Sequence, residues 1–226
     1  MNIITDFLDL IATKLGCTMM CTDLTLKTAL IVFGGFHIAG GGASGLMLKG
    51  SENLEFEHGD NFTIAVWVRI QGPLVNAPII ANKDWRSGEN PGICLFANGR
   101  VDNTGPGVCF NSAVNDSRKR VDVGACIGDQ TQWTFYAVTH NDEGVLTLYQ
   151  GAPDGRFYWI CDEAHDLNIK ALPFYLGQDA SYRITHNADI DDFALWTRSL
   201  GRNEVKGIFD AARQGREIVR EAVVAK

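Results

Sequence analysis

Carboxylates carry much of the hydrolytic chemistry open to a chain of this composition, and their spacing is the first test of it. Retaining cleavage of a glycosidic bond needs two carboxyl groups about 5 Å apart, one to attack and one to protonate the leaving oxygen. The nearest approach to that pattern is Glu55-Phe56-Glu57-His58-Gly59-Asp60, where Glu55 and Glu57 are separated by a single residue in a segment that reads as a loop, not mid-strand. Asp162-Glu163-Ala164-His165-Asp166 is equally acidic and reads as a solvated turn. A nucleophilic triad requires a Ser or Cys activated by a His that a carboxylate orients. His37, His58, His140, His165 and His186 are scattered, with no elbow motif beside them. Gly40, Gly42 and Gly45 spell GxGxxG, but a pyrophosphate site needs a helix to begin there. Leu46-Met47-Leu48-Lys49-Gly50 reads instead as strand and turn, so the glycines read as a flexible joint. No enzyme chemistry is expected.

Thiols, indoles and cations are the other reactive or adhesive groups. Cys94 and Cys109 lie in GICLF and GVCFN, which flank the turn-rich Asp102-Asn103-Thr104-Gly105-Pro106. A disulfide across that hairpin and a pair of buried thiols fit the pattern equally. Met1-Asn2-Ile3-Ile4-Thr5-Asp6 lacks the basic region of a secretory signal, so a reducing compartment is the default expectation. Of the tryptophans, Trp67, Trp133 and Trp196 sit in strand-like stretches and are expected in the core. Trp85, in Lys83-Asp84-Trp85-Arg86-Ser87-Gly88, is expected at the surface as a platform on which a sugar ring could stack. The chain has 20 Lys+Arg against 27 Asp+Glu and a net charge of -7, and its only basic run is Arg118-Lys119-Arg120, read as a solvated loop. Phosphate binding depends on clustered cations, so nucleic acid is excluded as a partner. The apolar stretch from Ala29 to Ala39 is interrupted by Gly34, Gly35 and His37 and falls short of the roughly 20 residues a membrane span needs.

Period-two patterning dominates from Leu46 onward. In Phe62-Thr63-Ile64-Ala65-Val66-Trp67-Val68-Arg69-Ile70, the apolar Phe62, Ile64, Val66, Val68 and Ile70 share one face, and Thr63, Trp67 and Arg69 the other, as a half-buried strand requires. Further strands are expected at 78–82, 92–97, 107–111, 132–140, 144–150, 157–161, 174–176 and 190–197, with turns at Asn141-Asp142-Glu143-Gly144 and Pro153-Asp154-Gly155. Many short strands without intervening helices predict an all-β antiparallel sandwich or jelly roll. Phe7, Leu8, Ile11 and Leu15 recur at helical spacing and predict a short amphipathic helix. Helical spacing returns at Val205, Ile208, Phe209 and Ala212, and again at Ile218, Val219, Ala222 and Val223. The expected organisation is an N-terminal assembly arm over 1–42, a sandwich over 43–209 and a C-terminal helical tail over 210–226.

Four segments give this chain a resemblance to the laminin-G-like jelly rolls of the concanavalin A-like lectin/glucanase superfamily. FTIAVWVRI resembles the family's early strand, and PIIANKD the segment after it. QWTFYAVTHNDEGVLTLYQGAPDG resembles its W-containing hairpin, and ADIDDFALWTRSLGRNEVKGIF its closing strand and short helix. Gln150-Gly151-Ala152-Pro153 departs from the usual compact turn, and Ala188 stands where the family often has glycine. The resemblance implies a concanavalin-like sandwich. It also implies that Asp191 and Asp192 would hold a Ca²⁺ at the sandwich edge, an ion that takes oxygen ligands. The apolar flanks outside the resemblance lead to the expectation of a non-catalytic structural protein, a bacteriophage virion decoration, collar or fibre component. Such a protein would be assembled in the host cytoplasm and would bind copies of itself or other structural proteins through its arm and tail. A Ca²⁺-dependent carbohydrate-binding module, acting extracellularly, is the alternative, and a glycoside hydrolase a second one.

Overall fold

A computed structural model of the chain describes residues 18–22, 29–33, 36–38, 45–48, 60–71, 77–83, 92–98, 107–114, 117–123, 131–164, 173–179 and 188–215. Among the described residues the strands are β1 (Thr18–Thr22), β2 (Ala29–Phe33), β3 (Phe36–Ile38), β4 (Leu46–Leu48), β5 (Phe62–Ile70), β6 (Ala77–Ala81), β7 (Gly92–Asn98), β8 (Gly107–Val114), β9 (Ser117–Val123), β10 (Thr134–His140), β11 (Val145–Gly151), β12 (Phe157–Ala164), β13 (Phe174–Leu176) and β14 (Ala188–Trp196). One helix, α1 (Arg202–Arg213), follows them.

The strands form two antiparallel sheets. One runs β1-β2-β14-β5-β10-β11-β12, with β3 also paired to β14, and the other runs β4-β13-β6-β7-β8-β9. The core between them takes alternate residues from each sheet. Phe62, Ile64, Val66, Val68 and Ile70 of β5 meet Ile79, Ile80, Leu95, Phe110, Phe174 and Leu176 of the facing sheet. This is the expected antiparallel sandwich, with its helix at the C-terminal end.

The second face of β5 is covered too, which the half-buried pattern does not predict. Ala65 and Trp67 join Phe135, Tyr149, Ala194 and Trp196 in a second cluster closed by Val205, Ile208 and Phe209 of α1. The helix is fixed at its start by local chemistry. The Glu204 carboxylate accepts from the backbone N–H of Gly201 at 2.9 Å and from Arg198 at 2.8 Å, satisfying a donor that the helix itself leaves unpaired. Thr63 of β5 donates its hydroxyl to the Arg198 carbonyl and accepts from the Leu200 N–H, each at 2.9 Å, so the turn into the helix is held to the sheet.

Several expectations need correction. The expected arm of 1–42 is drawn in part into the sheet: β2 pairs with Phe193, Ala194 and Leu195 of β14, and β3 with Ala188, Asp189 and Ile190. A central strand leaves one row of backbone donors and acceptors unpaired unless a neighbour takes it, and the apolar 29–38 stretch does so here. The helix expected at Phe7, Leu8, Ile11 and Leu15, and the tail at Ile218, Val219, Ala222 and Val223, lie outside the described residues. A division at 209 would cut α1, whose buried residues run from Val205 to Ala211. Arg118, Lys119 and Arg120 lie on β9, the edge strand, and not in a loop. Charged residues on an edge strand disfavour pairing with a second chain, which explains a basic run there. Asp162 and Glu163 likewise belong to β12.

Candidate functional site

The two acidic residues singled out by sequence lie at a break in the pleat of β14. Asp191 stands opposite Trp67 and Ala194 opposite Ala65, so Asp192 and Phe193 together oppose the single residue Val66. This is a β-bulge, and it resets the alternation so that Phe193 and Leu195 enter the core while Ala194 and Trp196 face the helix. Asp192 takes the left-handed conformation, φ 48°, a region that aspartate tolerates better than branched residues do. Its N–H donates to the Asp191 carboxylate at 2.9 Å. At the same point β14 changes its neighbour on the far side, from β3 to β2.

Burial pushes the Asp191 carboxyl above its ordinary range, although the Asp192 N–H pulls it down. Burial and then the charge of Asp191 push Asp192 up to about 6. Removal from water raises both carboxyls, and for Asp192 the like charge beside it adds to the shift. The pair does not by itself form a calcium cage. Ca²⁺ takes 6–8 oxygens, and among the described residues no group of three or more His, Cys, Asp or Glu side chains could hold a metal.

Two residues before the bulge lies a denser group of polar contacts, which sequence reasoning missed. Asp189 pairs in register with Arg69. Its Oδ2 accepts from Arg69 Nε at 2.7 Å, from Arg69 Nη2 at 2.6 Å and from Gln71 Nε2 at 2.6 Å. The Arg69 guanidinium also lies over the Trp133 ring, 5.3 Å from its centroid. Arg69 is 41% exposed, so the charged fork is open to solvent beside an indole. Trp133 is only partly buried, against the second cluster, while Trp67 and Trp196 are buried as expected. The signal available in sequence was parity: Trp67 and Arg69 fall on the face of FTIAVWVRI that excludes the main core, and Asp189 and Asp191 fall on the matching face of ADIDDF.

The remaining candidates fall elsewhere or outside the described residues. Trp85, Glu55 and Glu57 lie outside them. Exposed large aromatics are present instead on edge strand β12, where Tyr158 is 42% and Trp159 49% exposed. Cys94 and Cys109 are not opposite one another. Cys94 pairs in register with Asn111 and Cys109 with Phe96, a diagonal relation of about 7–8 Å, wider than a disulfide ordinarily closes. Cys94 itself is fully buried. No helix among the described residues is long and apolar enough to cross a membrane.

Comparison with known proteins places this geometry in a family. A profile described as the concanavalin A-like lectin/glucanases superfamily, of laminin-G type, matches residues 40–206. Among solved structures, the Ruminococcus gnavus IT-sialidase CBM40 superposes with a TM-score of 0.59 at 15% identity, covering 79% of this chain and 97% of that one. The same domain was also solved bound to α2,3 sialyllactose, with a TM-score of 0.51 at 12% identity, covering 74% of this chain and 98% of that one. The binding domain of Paraclostridial Mosquitocidal Protein 1 gives a TM-score of 0.57 at 16% identity over 81% of this chain. The botulinum neurotoxin serotype G binding domain gives 0.57 at 17% identity over 89% of it. This chain spans 46% and 48% of the length of those two toxin domains. At such identities the likeness is one of fold. No curated protein matches the sequence significantly.

Proposed function

The chain belongs to the concanavalin A-like lectin/glucanase superfamily, and on that premise we propose that it is a non-catalytic module that binds glycans. The observation that carries the reading is the group formed by Trp133, Arg69, Gln71 and Asp189 on the helix-bearing face of the sheet. Sugar recognition calls for an apolar aromatic surface for ring C–H groups and a few fixed polar groups for hydroxyls. Here the indole supplies the first, and the guanidinium, the amide and the carboxylate the second. Their mutual hydrogen bonds hold them in place before a ligand arrives, which lowers the entropic cost of binding. The solved CBM40 relative, described as bound to sialyllactose, supports a glycan ligand for a sandwich of this shape.

The experiment is a glycan array on the full chain, followed by calorimetric titration of the best sugars against wild type, Trp133→Ala and Trp159→Ala. Binding lost in Trp133→Ala, with the far-UV spectrum and melting temperature retained, is the expected result. Loss in Trp159→Ala alone would move the site to β12, and an array with no binding would remove the reading. Titration in EDTA tests the calcium requirement: recognition by these four residues is derived without an ion and is expected to survive. The virion assembly role rests on the apolar flanks, part of which is paired into the sheet as β2 and β3, and nothing in the comparisons supports it.

A further inference from the structure

We infer that this site recognises an acetamido group, so that its preferred ligand is an N-acetylated sugar; the inference rests on the glycan-binding reading and names the ligand class of the same site. It is carried by the hydrogen-bonding groups that Arg69 and Gln71 still have to offer. Arg69 approaches Asp189 side-on, with Nε at 2.7 Å and Nη2 at 2.6 Å from the same oxygen, Oδ2. A guanidinium is a planar fork that only donates. Its other edge, formed by Nη1 and the second N–H of Nη2, has no hydrogen-bond partner among the described residues. The side chain is 41% exposed, so a ligand oxygen has access to it.

Gln71 supplies the complementary group. Its Nε2 donates to the same Asp189 oxygen at 2.6 Å, and because a carboxylate only accepts, this contact fixes which way round the amide sits. Oε1 is then the end left to accept, on a residue that is exposed. Together the two side chains offer a donor edge and a carbonyl acceptor, both anchored on one carboxylate oxygen.

An acetamido group answers both. Its carbonyl oxygen accepts from the free edge of Arg69, and its N–H donates to Gln71 Oε1. In a trans amide the two point in opposite directions, which suits partners that flank a shared oxygen. The methyl group finds apolar surface on the partly buried Trp133 indole, whose ring centroid lies 5.3 Å from the guanidinium carbon. The contacts between Arg69 and Asp189 stay intact throughout. A carboxylate or sulfate would satisfy the Arg69 edge, but it brings no donor for Gln71 and sets an acceptor against it. Sugar hydroxyls can meet the same groups, but without the methyl contact and with a rotor to fix at each bond.

The test is calorimetric titration of matched methyl glycosides into the full chain. The pairs are N-acetylglucosamine with glucose, N-acetylgalactosamine with galactose, and N-acetylneuraminic acid with its analogue carrying a hydroxyl in place of the acetamido group. The acetamido member of at least one pair should bind about tenfold tighter, the scale of a net hydrogen bond and a buried methyl. Preference within either of the first two pairs assigns the group to an amino-hexose, and preference within the third alone assigns it to a sialic acid, the same chemistry from two sources. Gln71→Leu, which loses the acceptor for the amide N–H, should narrow the gap by about threefold or more. No preference within any pair, or a gap unchanged in a Gln71→Leu protein that melts normally, would overturn the inference while leaving glycan binding in place. Absence of binding to every glycan, on the array and in this panel, would remove both.

Discussion

Asp192 combines three unfavourable conditions at one residue: a left-handed backbone, partial burial and a carboxylate neighbour. Its carboxyl titrates near 6 in the folded chain, against about 3.9 when unfolded. The native state therefore binds more protons across that window, and stability falls as pH rises from about 4 to about 6, then stays lower. Replacing the residue by asparagine keeps its shape and its tolerance of the left-handed region while removing the charge. Asp192→Asn is expected to stabilise the protein by about 1–2 kcal/mol at pH 7.5, a figure already reduced for solvent screening. The gain should vanish near pH 3.5, and melting curves at the two pH values check this. Cys94 makes a second prediction at this scale. Its thiol is fully buried, so Cys94 should stay unlabelled by a thiol reagent in the native protein, as read by peptide mass mapping, and react after denaturation.

At the scale of elements, the seam between α1 and the outer face of the sheet is held by aromatic packing. Phe209 is stacked on Trp67 at 5.6 Å and lies against Phe135 at 5.5 Å and Phe157 at 5.3 Å. Beneath it Gly151 leaves no room for a side chain, since an added Cβ would stand 2.4 Å from the Phe209 ring. Phe209→Ala should cost about 3–5 kcal/mol, and Gly151→Ala about 1–3 kcal/mol by overpacking the same contact, both read by chemical denaturation. The helix itself was legible, because Val205, Ile208 and Phe209 repeat at helical spacing. Its docking surface was not: the alternation in FTIAVWVRI looks the same whether the second face meets water or a helix, and only the size of Trp67 hints at the difference. The bulge was illegible for a related reason. Asp191-Asp192 announces an acidic pair, but the slip in register depends on which residues of β5 lie opposite.

At the scale of the molecule, most strands and the closing motif were readable over the span from 62 to 213, because the longer strands there show their own period, while β9 was not, its Arg118-Lys119-Arg120 run reading as a loop. Before it, β4 was read as a strand, but β2 and β3 were not. Ala29–Phe33 and Phe36–Ile38 are short, and read alone they are an apolar stretch with no partner; pairing with β14 supplies the reason for their composition. A chain lacking residues 1–42 would expose that side of β14, so it should melt lower and self-associate more than the full chain, as shown by calorimetry and size-exclusion chromatography. An unchanged monomer of unchanged stability would mean that the early strands contribute nothing to the sheet.

The proposed binding site draws on all three scales: the bulge orients β14, β5 and the residue after it bring Arg69 and Gln71 beside it, and Trp133, only partly buried, lies against Arg69 on the helix-bearing side. The most direct test is calorimetric titration of the strongest glycan from the array into wild type and Trp133→Ala. We predict saturable one-to-one binding that falls by about tenfold or more when the indole is removed, the worth of one stacked ring. Equal affinity in the two proteins, each with an intact fold, would contradict the account.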